Sequence, residues 1–264
     1  MTALADRLPV RLVGLDAASQ RSKFGYALGH FDSDSGRVTV DRAGLLDDTD
    51  DPICNQIVPF ICGGERALIA VDAPLGWPDG LKKLLLGHEA GMLPPEGLAK
   101  DASFRRHTEN QVRKVKIPLE VAADRIARAA FEALCVLKEL RTVSKLPLPL
   151  AWSPEFTGAA SIEVYPGATL AVRMLARAKY KLTEDVSGRE QIAKSLVDGG
   201  LVEALPAEPL RRALQNADVL DAILCMVAAR DFLMGECEPP SSEHIDQARR
   251  EGWIWVRRND LERT

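Results

Sequence analysis

Three β-forming runs occupy the first 46 residues with no helical pattern between them, and that order limits the folds open to the chain. Residues 10–16 (VRLVGLD), 24–31 (FGYALGHF) and 36–46 (GRVTVDRAGLL) read as strands. Gly, Asp and Ser clusters divide them, as turns between antiparallel neighbours would. A helix is expected at 52–63, leading to Gly63-Gly64. RALIAVDAPLG follows, and its unbroken apolar centre suits a strand covered on both faces. SIEVYP, at 161–166, is a short strand stopped by proline. Strands separated by helices pair in parallel. The expectation is an α/β fold with a mixed five-stranded sheet, a three-strand meander and then two parallel strands, flanked by helices.

Residues 77–118 loosen, with recurrent Gly and Pro. They read as an inserted, mostly helical segment over one edge of the sheet, within a single domain spanning 1–264. Residues 119–140 repeat apolar positions at helical spacing through Ala122, Ile126, Ala129, Ala133, Leu137 and Leu140. Residues 145–154 are a Pro-punctuated connection. Ser187 and Glu190 form an S-x-x-E box expected to open a helix at about 188–198. Asn216 is a natural cap for the apolar helix Asn216–Phe232. GWIWVRR, at 252–258, reads as a late strand.

Composition excludes several classes. The formal net charge of −4 rules out a globally basic nucleic-acid coat, though not a local basic patch. No apolar run approaches the roughly 20 residues that cross a bilayer. The opening MTALADRLPVRLVGLD lacks the layout of a secretory leader. Five scattered cysteines without a C-x-x-C pair point to reduced thiols and a cytoplasmic address. The four histidines have no metal-ligand spacing, which argues against zinc.

The chemistry-bearing residues are carboxylates. Asp16 in VGLD-AAS and Asp72 in IAVD-APLG each close an apolar strand and precede small residues. A single strand-end Asp often just begins a turn. Two matched ends on parallel neighbours would meet where α/β sheets place ligands. Asp218 and Asp221 share one face of the apolar helix at i, i+3. The helix dipole accounts for Asp218 but less well for Asp221, which has apolar neighbours and no Arg or Lys at i±3 or i±4. A buried carboxylate needs a metal or a distant partner. Glu163 in SIEVYP is a fifth candidate, equally readable as an exposed edge residue. Acids without useful His or Cys suit Mg²⁺ or Mn²⁺, with Asp16, Asp72 and Asp221 as ligands. Two such ions would activate water and stabilise the leaving oxygen of a phosphodiester.

This layout resembles the ribonuclease H-like superfold, and most of all its Holliday-junction resolvase branch. GLDAAS, VDAPLGWP, FRRHTE, IEVYP and DVLDAI are similar to the family called domain-of-unknown-function 429, over nearly the whole chain. Its members are described as predicted nucleases. The resemblance implies catalytic roles for Asp16, Asp72, Asp218, Asp221 and Glu163. The family's R-x-[TC]-[DE] segment falls on Arg106, Thr108 and Glu109, with Glu where Asp is more usual.

Phosphate contacts are sought among the bases. Residues 100–116 carry six bases against two acids, a local surplus of four in an acidic chain. Arg105, Glu109 and Arg113 fall on one helical face, so Arg105, Arg106 and Arg113 could hold phosphates or simply form a solvated face. Lys179, Lys181 and Arg189 form a sparser second group. Phe104 is the lone aromatic near the first, which leaves no stacking platform for single strands. The expected function is a metal-dependent nuclease acting on DNA or RNA, with no membrane partner and a homodimer compatible with the chain. One alternative is a nucleotide-binding phosphotransferase, although DAAS and DAPL lack the glycine that cradles phosphate and leave only Ser19 and Lys23 to touch one. Another is a non-catalytic binding module whose acids are satisfied by internal Lys or Arg.

Overall fold

The computed structural model describes residues 9–47, 51–175 and 179–258. The first eight residues, where a leader would begin, and the last six of the expected domain lie outside the described residues. Strands β1 (Val10–Asp16), β2 (Gly25–Asp32) and β3 (Arg37–Leu45) come first. A π-turn at Ile53–Ile57 leads into α1 (Val58–Cys62), and β4 (Ala67–Asp72) follows. The loosened segment carries α2 (Asp79–Leu85), α3 (Lys100–Phe104) and α4 (His107–Val112). Then come α5 (Asp124–Ser144), β5 (Ala159–Glu163), α6 (Pro166–Val172) and α7 (Val186–Asp198). The described chain ends with α8 (Ala207–Gln215), α9 (Ala217–Leu233) and α10 (Ile245–Glu251).

The sheet runs β3-β2-β1-β4-β5. β1, β2 and β3 pair antiparallel, and β4 pairs parallel with both β1 and β5. This is the expected mixed five-stranded α/β sheet. Period-2 alternation sorts its side chains into two cores. Leu12, Leu68, Ala70, Ala160 and Ile162 join the α9 side, with residues of α7 and α8. Val13, Leu15, Ile69, Val71 and Ala159 join the other side, with residues of α1 and α5. The central β4 residues Leu68, Ile69, Ala70 and Val71 are fully buried, as a strand covered on both faces must be.

Helix α9 explains its own composition. It lies across β1, β2, β3 and β4, with α6, α7 and α8 around it, so its whole circumference is buried. Its entry is capped as expected: Asn216 Oδ1 accepts from the Asp218 amide at 2.7 Å. Two strand glycines set how closely it approaches. A Cβ on Gly14 would lie 1.9 Å from the Ala222 carbonyl oxygen, and one on Gly25 would lie 2.1 Å from that of Asp218. Backbone against backbone cannot yield as a flexible side chain can. Gly14→Ala is therefore expected to lift α9 and destabilise the fold by about 1–3 kcal/mol, the usual range for overpacking. Urea unfolding will show the drop; an unchanged midpoint would mean that the helix seat is softer than this geometry implies.

Several local expectations are corrected. The helix expected at 119–140 begins at Asp124 and runs on to Ser144, where Lys145 turns left-handed (φ 61°) ahead of the proline link. Ser187 lies within the first turn of α7, whose cap is Asp185, so the S-x-x-E box does not open that helix. Residues 252–258 form isolated bridges rather than a strand, Ile254 with Glu163 and Arg257 with Cys237. β5 ends at Glu163 and Pro166 starts a helix, so little strand is left to pair with them. Arg105 and Arg106 are extended between α3 and α4, so Arg105, Glu109 and Arg113 do not share a helical face. The five cysteines are free thiols. Among the described residues no helix is long and apolar enough to cross a membrane.

Candidate active site

The parallel register of β1 and β4 pairs their last residues directly, Asp16 with Asp72. Both follow the alternation of Leu12 and Leu68 and leave the sheet on the α9 side. Gly14 and Gly25 bring the first turns of α9 down onto those strand ends. Asp221 arrives there fully buried, with Asp218 one turn earlier and half-buried. Asp16 and Asp72 lie close enough for the Asp16 carboxyl, when protonated, to donate to Asp72. Asp221 has the distant partners that its own helix could not supply. The Tyr180 hydroxyl donates to Oδ1 at 3.1 Å, and the Lys181 ammonium donates to Oδ2. Lys181 is itself exposed.

The acids crowd one another. Burial, then the Asp221 and Asp72 charges, holds the Asp16 carboxyl well above the usual carboxylate range. Burial, then Asp221, pushes Asp72 up to about 7, against the pull of Lys181. Burial also raises Asp221, outweighing Lys181 and Tyr180, and raises Asp218 against Lys181 and Lys23. The Lys181 stem is exposed, but desolvation of its ammonium end in the site works against its charge, and Asp221 more than offsets this and raises that pKa. Cys225, one turn beyond Asp221, donates to the Leu15 carbonyl at 3.5 Å. Burial raises its thiol well above normal, so it stays protonated and is no nucleophile.

A pH dependence follows. A carboxyl whose folded pKa exceeds its unfolded value binds more protons when folded, so its stabilising effect is full at low pH and fades as pH rises. For Asp72 the window runs from about 4, the unfolded value, to about 7. Wild-type stability should fall relative to Asp72→Asn across that range. Chemical denaturation of both proteins from pH 4 to 8 measures the difference; parallel curves would contradict it.

Glu163 does not join the aspartates. It pairs in register with Val71, one position short of Asp72, and so leaves the opposite face of the sheet. There the Arg106 guanidinium grips it with two N–H groups, one of them at 2.8 Å to Oε2, and the Leu75 amide donates to the same oxygen at 3.0 Å. Arg106 also donates through Nε to Glu109 Oε1 at 2.8 Å and through Nη1 to the Glu251 carbonyl at 2.9 Å. The Thr108 hydroxyl accepts from the Ile254 amide at 2.8 Å. The R-x-T-E segment thus locks the 77–118 segment, β5 and the C-terminal residues together.

The expected phosphate contacts divide in the same way. Arg106 is fully buried and committed to carboxylates. Arg189 is buried and donates to the carbonyls of Tyr180, Leu182, Thr183 and Leu214, so it secures the loop that carries Lys181. Neither presents a guanidinium to a phosphate. Arg105 pairs with Glu120 at 3.0 Å. Arg113 is exposed, just past α4. The Lys181 charge reaches Asp16, Asp72, Asp218 and Asp221, and that of Lys23 reaches Asp218. Sequence spacing gave no sign of Tyr180, 41 residues from Asp221, nor of Tyr165, which lines a cavity. That cavity, of about 170 Å³, opens between Asp72 and Glu163, and Pro74, Pro118 and Ile126 form apolar walls. A larger one of about 350 Å³ lies between Gln111, Lys114, Trp253 and Arg257, and borders none of the five candidate acids.

Oxygen-only donors with too little positive charge among them are the chemistry of a hard-cation site. Asp16, Asp72 and Asp221 fit Mg²⁺ or Mn²⁺ in that respect. Their present arrangement is not a ready cage: among the described residues no group of three His, Cys, Asp or Glu is placed to hold a metal ion. Asp221 is turned to Lys181 instead. The family model described as Protein of unknown function (DUF429) matches residues 14–244, from β1 to the edge of α10. The chain belongs to this family. The matched DUF429 stretch contains Asp16, Asp72, Asp218, Asp221, Glu163 and the Arg106 segment. No curated protein and no solved structure matches the chain.

Proposed function

We propose that this DUF429 chain is a metal-dependent nuclease of the ribonuclease H-like superfold, hydrolysing phosphodiester bonds in DNA or RNA. One observation carries the reading: Asp16 and Asp72 are register partners at the ends of parallel strands, with Asp221 seated over them by α9. The strand order β3-β2-β1-β4-β5 supports it. Asp16, Asp72 and Asp221 would hold Mg²⁺ or Mn²⁺, which when bound supplies charge for an attacking water and a leaving oxygen. The chain's own contribution is separate. Burial and the neighbouring carboxylate charges raise both Asp16 and Asp72, and Asp72, pushed up to about 7, can accept a proton near neutral pH. Exposed Lys181 and Lys23 offer cations to an incoming phosphate. Arg106 and Glu163 secure Leu75, three residues past Asp72, and so position that acid.

A non-catalytic binding module is the second reading, and the Lys181–Asp221 pair favours it, because an internal cation already satisfies the deepest acid. A cleavage panel separates the two. Purified protein with Mn²⁺ should cut at least one of single-stranded, duplex and branched DNA or RNA. Silence across that panel would remove the nuclease reading and leave the binding module.

A further inference from the structure

Asp221 is fully buried, while the ammonium that neutralises it sits on an exposed side chain. That asymmetry matters. Asp221 is fixed by α9 and by the Tyr180 hydroxyl, so it cannot leave the site. Lys181 has a flexible four-carbon stem and a short path to water, so it can. Its loop is anchored just behind it: Arg189 holds the carbonyls of Tyr180, Leu182 and Thr183. The backbone is therefore tied down on both sides of a side chain that is free to swing. Two strand-end acids and Asp218 crowd Asp221; Lys181 opposes the charges of Asp16 and Asp221, and Lys181 with Lys23 opposes that of Asp218.

We infer that Lys181 is an exchangeable internal counterion, which neutralises Asp221 while the site lacks a divalent cation and swings to the mouth when one binds. The inference rests on the cation of the proposed function and adds a regulation to it. The ammonium and the divalent ion compete for the same Asp221 oxygen, so Lys181 weakens cation binding when no substrate is present. Once displaced, the ammonium stands where an anionic substrate enters. Cation and substrate phosphate then favour each other's binding, since the phosphate gives Lys181 a new partner.

The test uses the full chain, Mn²⁺ alone and no nucleic acid. Titration calorimetry should show Lys181→Met binding Mn²⁺ about tenfold more tightly than wild type, as expected from removing one adjacent positive charge. Lys181→Arg should stay near wild type, and Asp221→Asn should lose the site. Lys23→Met controls for general charge and should shift the affinity less than Lys181→Met does. Lys181 is exposed, so Lys181→Met should fold, with a midpoint lowered by the loss of the Asp221 counterion; a cooperative thermal transition checks this. A second readout needs no variant: acetylation of Lys181, followed by mass spectrometry, should quicken when Mg²⁺ is added to wild type. Equal or weaker Mn²⁺ binding by Lys181→Met, no binding by either protein, or acetylation indifferent to Mg²⁺ would each overturn the inference. Tight Mn²⁺ binding by Lys181→Met without any nucleic-acid cleavage would sustain it while removing the nuclease reading. Cleavage by a wild type whose Mn²⁺ affinity ignores Lys181 would do the reverse.

Discussion

Arg106→Ala is expected to lose about 3–5 kcal/mol of folding stability, the range for removing one partner of a buried ion pair. Arg106 is fully buried and holds Glu163 and Glu109, both of them also buried. Burial alone disfavours its charge, but Glu163 and Glu109 more than offset that, so the guanidinium stays ionised. Without it, two carboxylates stand buried with no cation between them, and the Glu251 carbonyl loses its donor. Arg106→Lys should recover little, because an ammonium cannot reproduce the fork that reaches Glu163 and Glu109 together. Urea denaturation with linear extrapolation measures both losses. A loss below about 1 kcal/mol, the scale of an exposed pair, would show that Arg106 is no structural hub. Loss of a stable fold would itself meet the expectation, and Glu163→Gln then provides a milder variant. It should also destabilise the protein, by replacing an ionised acceptor with a neutral one.

Asp16→Asn is expected to move activity and stability in opposite directions. Under the proposed nuclease reading, cleavage in Mn²⁺ should fall about 10³-fold, since Asp16 would be one of the carboxylates holding the metal, and its loss would forfeit several kcal/mol of transition-state stabilisation. Stability at pH 8 should rise by about 1 kcal/mol, as often happens when a strained functional site is neutralised. The physical cause is the crowding of Asp16 by Asp221 and Asp72 in a buried setting. Single-turnover cleavage and denaturation on the same preparation provide the two numbers. Retained activity would take Asp16 out of the site, and a marked loss of stability would mean that its charge is better compensated than the geometry shows.

Much of the architecture was legible before the structure. The meander, the buried fourth strand and the proline-stopped fifth follow from period-2 alternation and turn residues, which are local signals. So does the strand-end placement of Asp16 and Asp72. Asn216 capping α9 was readable for the same reason. What failed was mostly at ends and junctions. Ser187 lies inside α7 rather than at its cap, because a capping pattern does not show which residue of it begins the helix. The helical face drawn through Arg105, Glu109 and Arg113 was broken by a turn that exists to bury Arg106. The glycines that seat α9 left a readable trace, since glycine inside a strand often marks a close approach of another backbone. Their partner could not be read from that trace.

By itself, then, the sequence determined which residues carry charge and on which side of its own strand or helix each lies, because 2.0- and 3.6-residue periods are properties of the local chain. Only the tertiary structure decided which of those charges meet. The β1–β4 register put Asp16 opposite Asp72. The same alternation on β5 sent Glu163 to the other face, into the grip of Arg106. A loop about 40 residues before Asp221 supplied Lys181 as the counterion that no position on its own helix could provide. Pairings of that kind depend on how separate elements pack, and no spacing along the chain encodes them.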